Sequence, residues 1–409
     1  MRRITCLLSS LALATFLSAA DWPQWRGPDR TGISKETNLL QEWPKDGPNL
    51  AWKVGELGTG YSSPSIAKGV IYLQTTVGED EHCIALDEKD GKKLWSTAIG
   101  KVGKNLGPQY PGTRASVTVD GDMLYCLASD GEITCLGAKD GSVKWQKHYR
   151  TDFGGKPGMW AFTESLLVDG DKLVCSPGGP EATLVALNKT NGDVIWKSAI
   201  PDVGNAEYSS IMAADVAGGR EYIQFFRKGV VGVDAKTGKF LWKYGKTVDM
   251  GANILTPVIL GDKVFTAGSR TGGALVELQS SADAVNAKEI YFNNKLAPSL
   301  GGAVLVDGHL YGSASQGVFC ADFATGEIKW TNRSVGAASV CYADGRVYLR
   351  GHSTGEVAII EANPDSYVEK GRFKQPDRSK IQTWTHPVIA NGCLYLRDQD
   401  VLLCYKIGK

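Results

Sequence analysis

The stretch CIALDEKDGKKLW, Cys83–Trp95, decides the fold. It reads as a strand, a tight turn at Asp90-Gly91 and a second strand ending on Trp95. Gly supplies the positive φ that a short hairpin turn demands. The Trp four residues beyond it offers a flat apolar face for docking on a neighbour. The unit recurs as ITCLGAKDGSVKW, LVALNKTNGDVIW, VVGVDAKTGKFLW and VFCADFATGEIKW, ending at Trp145, Trp196, Trp242 and Trp330. The Trp spacings are 50, 51, 46 and 88 residues. The last is nearly double, and a degenerate unit fills it: ALVELQ at Ala274–Gln279, an insertion, and Tyr291 in the Trp position.

A second series of turns gives an independent count. Lys68-Gly69, Asp120-Gly121, Asp169-Gly170, Gly218-Gly219, Leu260-Gly261, Asp307-Gly308, Asp344-Gly345 and Asn391-Gly392 each follow a short apolar strand, which makes eight hairpins. Such runs of four to six apolar or alternating residues suit strands buried between sheets. The expected fold is therefore all-β: an eight-bladed propeller of four-stranded antiparallel blades over residues 49–409. The last unit, TWTHPVIANG, CLYLRDQ and VLLCYKIGK, has no Trp strand after it. The missing strand is expected at the other end, NLAWKVG at Asn49–Gly55, with Trp52 in the docking position. Pairing the two ends closes the ring and removes an exposed edge.

The remaining segments are shorter. Residues 1–20 read as a cleavable secretory leader, with Arg2 and Arg3, an apolar run from Ile4 to Leu17 and Ser18-Ala19-Ala20 before Asp21. Residues 21–48, with Trp22, Trp25, Trp43 and four Pro, read as an irregular arm clamped over blade edges, or as a binding feature through Trp22, Trp25 and Arg26. No other apolar stretch is long enough to span a bilayer. The chain has 45 basic and 44 acidic residues, and the leader takes Arg2 and Arg3 with it. That balance excludes an electrostatic footprint for nucleic acid or anionic lipid. The basic stretch Lys370–Lys380 is interleaved with acids and reads as a solvated loop.

At these residues a family resemblance becomes visible. The ALDEKDGKKLW unit resembles the tryptophan-docking repeat of pyrroloquinoline quinone (PQQ)-type eight-bladed propellers. WPQWRGP and GTGYSSP (Gly58–Pro64) resemble the PQQ-binding-like repeat proteins common among exported bacterial proteins. The resemblance implies one of two functions. Quinoprotein dehydrogenases oxidise alcohols or sugars with PQQ and calcium; BamB-like propellers are scaffolds in outer-membrane barrel assembly and bind no cofactor. Fold alone does not choose between them.

In the dehydrogenases the cofactor sits in the funnel at one end of the ring. The matching segments here offer Tyr61, Ser62, Arg114, Trp160, Glu164, Tyr208, Asn253, Trp384 and His386. An Arg for carboxylates, Glu164 and Asn253 for calcium, and a Trp for stacking would suit PQQ. Several signals point away from that enzyme. No two Cys are adjacent, no CxxCH haem site is present, and Asp249 is the nearest but unmarked candidate for a base. The five His show no metal-ligand spacing, and neither a GxSxG elbow nor a P-loop occurs. The favoured reading is a monomeric, non-catalytic scaffold with a protein partner in the periplasm or cell envelope and no cofactor. The alternatives are a PQQ- and calcium-dependent dehydrogenase, and a carbohydrate-binding propeller with Trp22, Trp25, Trp160 and Trp384 as stacking platforms. The insertions at Gln279–Ile290 and Asn363–Lys380 vary the rim.

The cysteines leave two possibilities open. In an oxidising compartment Cys126 could pair with Cys135 across the Asp130-Gly131 turn, and Cys393 with Cys404 around Asp398-Gln399. Directly opposed Cα atoms at a non-hydrogen-bonded position lie about 4.5 Å apart, the short end of disulfide geometry. Alternatively Cys135, Cys320 and Cys404 stay free, since in the repeat they occupy the small-residue position held by Ala85, Ala186 and Gly232.

Overall fold

The computed structural model describes residues 20–105, 110, 112–281, 284–298 and 300–409. Its strands form eight four-stranded antiparallel sheets arranged in chain order. Blade one shows the pattern: Ser65–Ala67, Val70–Val77, Asp80–Asp87 and Lys93–Lys101 from the inside out. The middle strands are buried along most of their length, because neighbouring blades cover both faces. The outer strand alternates between exposed and half-buried residues, so only one of its faces is covered. The innermost strands are short, three residues in five of the eight blades.

The ring closes as the repeats require. Asn49–Val54 pairs antiparallel with Val401–Lys406, completing the sheet that also holds Val388–Ala390 and Cys393–Asp398. Trp52 stands opposite Cys404 in that pairing.

Each docking Trp sits opposite a small residue of its own blade, and four of the six lie under a Gly of the next. Trp95 faces Ala85, Trp145 faces Cys135, Trp196 faces Ala186, Trp242 faces Gly232 and Trp330 faces Cys320. The rings of Trp52, Trp95, Trp145 and Trp196 lie beneath Gly91, Gly141, Gly192 and Gly238, where a Cβ would come within 2.5 to 3.0 Å of the indole. Those glycines have φ between 68° and 77°, so the turn and the close approach both require Gly. Tyr291 takes the Trp position against Gly326, as the degenerate repeat suggests. Indole N–H groups of Trp52 and Trp145 donate to carbonyls of the neighbouring turn, at Glu88 and Lys189. Two blades depart from the pattern. Trp242 donates to Glu221 Oε2 within its own blade at 2.6 Å, and Trp330 packs on Tyr367 and donates to Asn363 O.

The register differs from the direct opposition expected of both cysteine pairs. Cys126 lies opposite Thr134, and Tyr125 lies opposite Cys135. Ala128 and Glu132 close a three-residue turn, one longer than the sequence suggests, so Cys126 and Cys135 project to opposite faces. The Cys126 thiol meets Cys83 of the preceding blade instead. Cys393 lies opposite Lys406, and Cys404 opposite Tyr395. That turn is Gln399-Asp400, so the two cysteines are diagonal neighbours on one face, with hydrogen-bonded but free thiols.

A polar belt that the sequence reading missed ties the inner ends of the blades together. Arg397, fully buried, donates from blade eight to the carbonyls of Ser62 and Gln74 in blade one. Gln74 bonds Thr113 Oγ1 and both backbone groups of Leu127 in blade two. Arg350 reaches from blade seven to Thr385 Oγ1 and Gln375 Oε1.

The arm does more than clamp blade edges. It pairs Trp22 with Ile66 in blade one and accepts from Val119 in blade two through Pro23 O. Arg30 then bonds the carbonyls of Ser165 and Leu166 in blade three. Arg26 reaches Ala303 O in blade six, and Trp25 donates to Thr256 Oγ1 in blade five. Beyond Ile33, which bridges Tyr342, the segment leaves over blades seven and eight. Such contacts on opposite sides of the ring carry the chain across its axis. Among the described residues, no helix is long and apolar enough to cross a membrane, and the leader expected over residues 1–20 lies, except for Ala20, outside them.

Candidate functional site

The segments that enter the innermost strands converge on one axial cavity of about 640 Å³. All eight blades contribute: Tyr61, Arg114, Ser165, Ser210, Thr256, Gly302, Ala337 and His386 each lie just before or beside an innermost strand and line it. The arm adds Trp25 and Arg26.

Of the sequence candidates, Arg114, Trp160, Tyr208, Trp384, Tyr61 and His386 line the cavity, whereas Glu164 and Asn253 do not. The reason is strand alternation. Thr163 and Ser165 face the cavity, so Glu164 between them points between blades. Its carboxylate accepts from the Tyr149 hydroxyl and from Ser176 N and Oγ at 2.6 and 2.5 Å. Burial raises its pKa, and these donors oppose the rise. In the same way Ala252 and Ile254 face inward while Asn253 turns out, accepting from Asp249 N at 2.8 Å. Tyr110, His352, Ser269 and Arg270 also line the cavity and were missed. Once Tyr208 is placed inward, period two would have found Ser210.

The wall has two aromatic patches. Tyr61 stacks on Trp384 at 4.9 Å, with Tyr110 edge-on to Trp384 at 4.6 Å, and Arg114 lies 5.5 Å over the Tyr61 ring. Trp160 meets Tyr208 edge-on at 5.7 Å. On the arm side, Trp25 stands edge-on to His386 at 4.8 Å. Both wall histidines are neutral at physiological pH. Burial and the Arg26 charge push His386 down to about 3, and burial with Arg350 pushes His352 down to about 4.

The charged groups on this wall are Arg26, Arg114 and Arg270, and among the described residues no Asp, Glu or Asn lines it. Calcium takes six to eight oxygens, usually including carboxylates. Three guanidiniums and scattered hydroxyls do not fit it. Asp249, considered as a base, lies outside the lining and pairs with Arg270 at 2.7 Å. Burial pushes its pKa up, but Arg270, Gly251 N and Ser269 hold it at about 2, too low for a general base. The PQQ–calcium pair as a unit therefore does not match these residues, although arginines and rings alone would accept an anionic ring.

A second cluster, Asp130, Glu132 and His148, brings its ligand atoms within 4.8 Å of one another. His148 Nδ1 accepts from Arg150 N, so Nε2 carries the proton and faces both carboxylates at 3.8 and 3.9 Å. A metal would have to displace that proton, and the cluster acts as a bridge between the turn and the short helix Tyr149–Phe153.

Comparison with known proteins agrees with the repeat architecture. The family model described as "Outer membrane protein assembly factor BamB" matches residues 29–156 and 85–332. The chain belongs to that family. Two curated relatives differ in what their names describe. The polyvinylalcohol dehydrogenase of Sphingopyxis sp. (strain 113P3) is 28% identical over 261 residues, covering 58% of this chain and 39% of its own length. The outer membrane protein assembly factor BamB of Escherichia coli (strain K12) is 25% identical over 240 residues, covering 48% of this chain and 60% of its own length. The chain thus spans less than two thirds of either relative. The crystal structure of quinohemoprotein alcohol dehydrogenase from Comamonas testosteroni superposes with a TM-score of 0.65 at 13% identity, covering 95% of this chain and 81% of that one. At that identity the likeness is one of fold. The BamB-family propeller thus has relatives named both as assembly factors and as dehydrogenases.

Proposed function

We propose that this BamB-family propeller is a non-catalytic binding and assembly module of the cell envelope, exported by a leader over residues 1–20 and acting as a monomer. The observation that carries the reading is the axial cavity, whose described wall holds three arginines and no carboxylate. A calcium–quinone dehydrogenase needs acidic ligands and a base at that place, and the described lining offers neither. The family match to an assembly factor supports the same reading. So does the cavity mouth. Met159, Met250 and Ile381 are exposed, and each lies within two residues of a lining side chain, Trp160, Ala252 and Gln382. Exposed apolar groups around a concave rim suit a protein partner. The long hairpin Gly272–Ser280 and Val285–Asn293 extends the outer rim for the same purpose.

The test is cross-linking in the native envelope. Recovery of outer-membrane assembly proteins, lost on Met250→Glu with Ile381→Glu, supports the reading. Recovery of the chain alone, together with dye-linked oxidation of alcohols when PQQ and calcium are added, would overturn it.

A further inference from the structure

We infer that the axial cavity binds a short anionic saccharide, carrying carboxylate or sulfate groups, without a metal ion. This deepens the binding reading above and rests on it. The first argument is charge. Arg26 is only 5% exposed, lines the cavity, and donates through Nη2 to the carbonyls of Thr31 and Ala303 at 2.7 and 2.5 Å. Arg114 donates to the carbonyls of Gly112, Trp160 and Tyr110. Neither forms an ion pair among the described residues. Burial lowers the pKa of Arg26 to about 10 and moves Arg114 in the same direction. A buried guanidinium without an anion is costly, and Arg26 with the half-buried Arg114 on one wall leaves a site that gains from receiving one. The nearby histidines are neutral and add no competing charge.

The second argument is unsatisfied polarity on the same wall. Thr163 is 7% exposed, and its hydroxyl, like the Trp384 indole N–H, is buried with no partner among the described residues. Both residues line the cavity, with Ser165, Ser210, Thr256 and Ser315 adding further hydroxyls. Buried polar atoms are normally bonded, so orphaned ones point to a missing partner. A flat aromatic acid would engage the rings and arginines and leave the hydroxyls unmatched. A sugar engages all three: its apolar ring face covers Trp384 with Tyr61 or Trp160 with Tyr208, its hydroxyls meet the Ser and Thr groups, and its acid meets Arg26 or Arg114. The volume, about 640 Å³, falls in the range of about 300–1,000 Å³ usual for small-ligand sites.

The experiment is calorimetric titration of the full chain with trigalacturonate, a sulfated disaccharide, and neutral maltotriose as the control. Either acidic probe should bind at least tenfold more tightly than maltotriose, with a change in tryptophan fluorescence. Raising salt from 50 to 500 mM should weaken the acidic probe and spare the neutral one. Arg114→Gln should remove the preference for acid; Trp384→Ala should weaken both. If Arg114→Gln does not fold, the salt dependence of the unaltered protein decides. The two acidic arms tell carboxylate from sulfate. Equal binding of neutral and acidic probes, or no heat with either acidic probe at millimolar concentration, would overturn the inference while leaving envelope cross-linking intact. Tight binding of PQQ that requires calcium would overturn this inference and the non-catalytic reading together.

Discussion

Gly238→Ala should unlock one blade from the next, and Gly218→Ala measures how much of the cost is backbone alone. Both glycines belong to blade four and both have positive φ, 74° and 83°. At Gly218 a Cβ meets nothing within 4 Å, so Ala there pays only for its left-handed conformation, about 1 kcal/mol. At Gly238 the Cβ falls 2.5, 2.7 and 3.1 Å from ring atoms of Trp196, which is only 8% exposed. The indole must retreat by about an ångström from a seat whose complete loss, as in Trp→Ala, costs about 3–5 kcal/mol. A partial loss adds about 1–2 kcal/mol, so Gly238→Ala should destabilise by about 2–3 kcal/mol against about 1 for Gly218→Ala. Urea unfolding of both variants beside the parent, with unchanged slopes, reads the difference from the midpoints. Equal losses would refute the idea that Gly238 is a docking seat and reduce it to an ordinary turn glycine.

Other consequences can be measured in the same protein. Arg397→Met removes a guanidinium that donates to the carbonyls of Ser62, Gln74 and Gln399; leaving them unpaired should cost about 2–4 kcal/mol net in urea unfolding. Cys135→Ala should cost less than about 1.5 kcal/mol, because Ala85 and Ala186 fill the equivalent place, whereas Cys135→Leu should overpack Trp145 and cost about 1–3 kcal/mol or more. A non-reducing peptide map should contain no Cys126–Cys135 link, since the two face opposite sides of their blade. His386 titrates at about 3 in the fold and near 6.5 unfolded, so its contribution is present above pH 6.5 and lost as pH falls toward 3. The stability difference between the parent and His386→Gln should therefore shrink by about 1.4 kcal/mol per pH unit between pH 6 and 4, as read by unfolding across that range.

The architecture was legible because the repeat is under a geometric demand that few residues meet. A Gly beneath an indole and a small residue opposite it recur at fixed spacing, and even the Tyr291 substitution and the closing strand at Asn49–Val54 follow from counting. The cysteines show where counting stops. One extra turn residue between Ala128 and Glu132 moved Cys126 to the face opposite Cys135. The site was legible as a set of segments and not as a set of side chains. Arg114, Trp160, Tyr208 and Trp384 face the axis, but Glu164 and Asn253 alternate away from it, and with them goes the apparent calcium site. The course of the arm was hidden because nothing local marks Arg26 and Arg30 as buried; their partners are carbonyls of distant blades. The belt through Arg397, Gln74 and Arg350 escaped for the same reason: its acceptors are mostly backbone, which carries no residue-specific signal.

An axial cavity that takes an anion without a calcium–quinone centre should respond to PQQ and calcium in a defined way. Thermal unfolding of the purified chain with PQQ, with calcium, and with both tests it most directly, because a ligand that binds only the folded state raises the melting temperature. Calcium alone should cause no change, and calcium added to PQQ should bring no additional rise. A rise of several degrees that requires both, accompanied by oxidation of an alcohol, would contradict it.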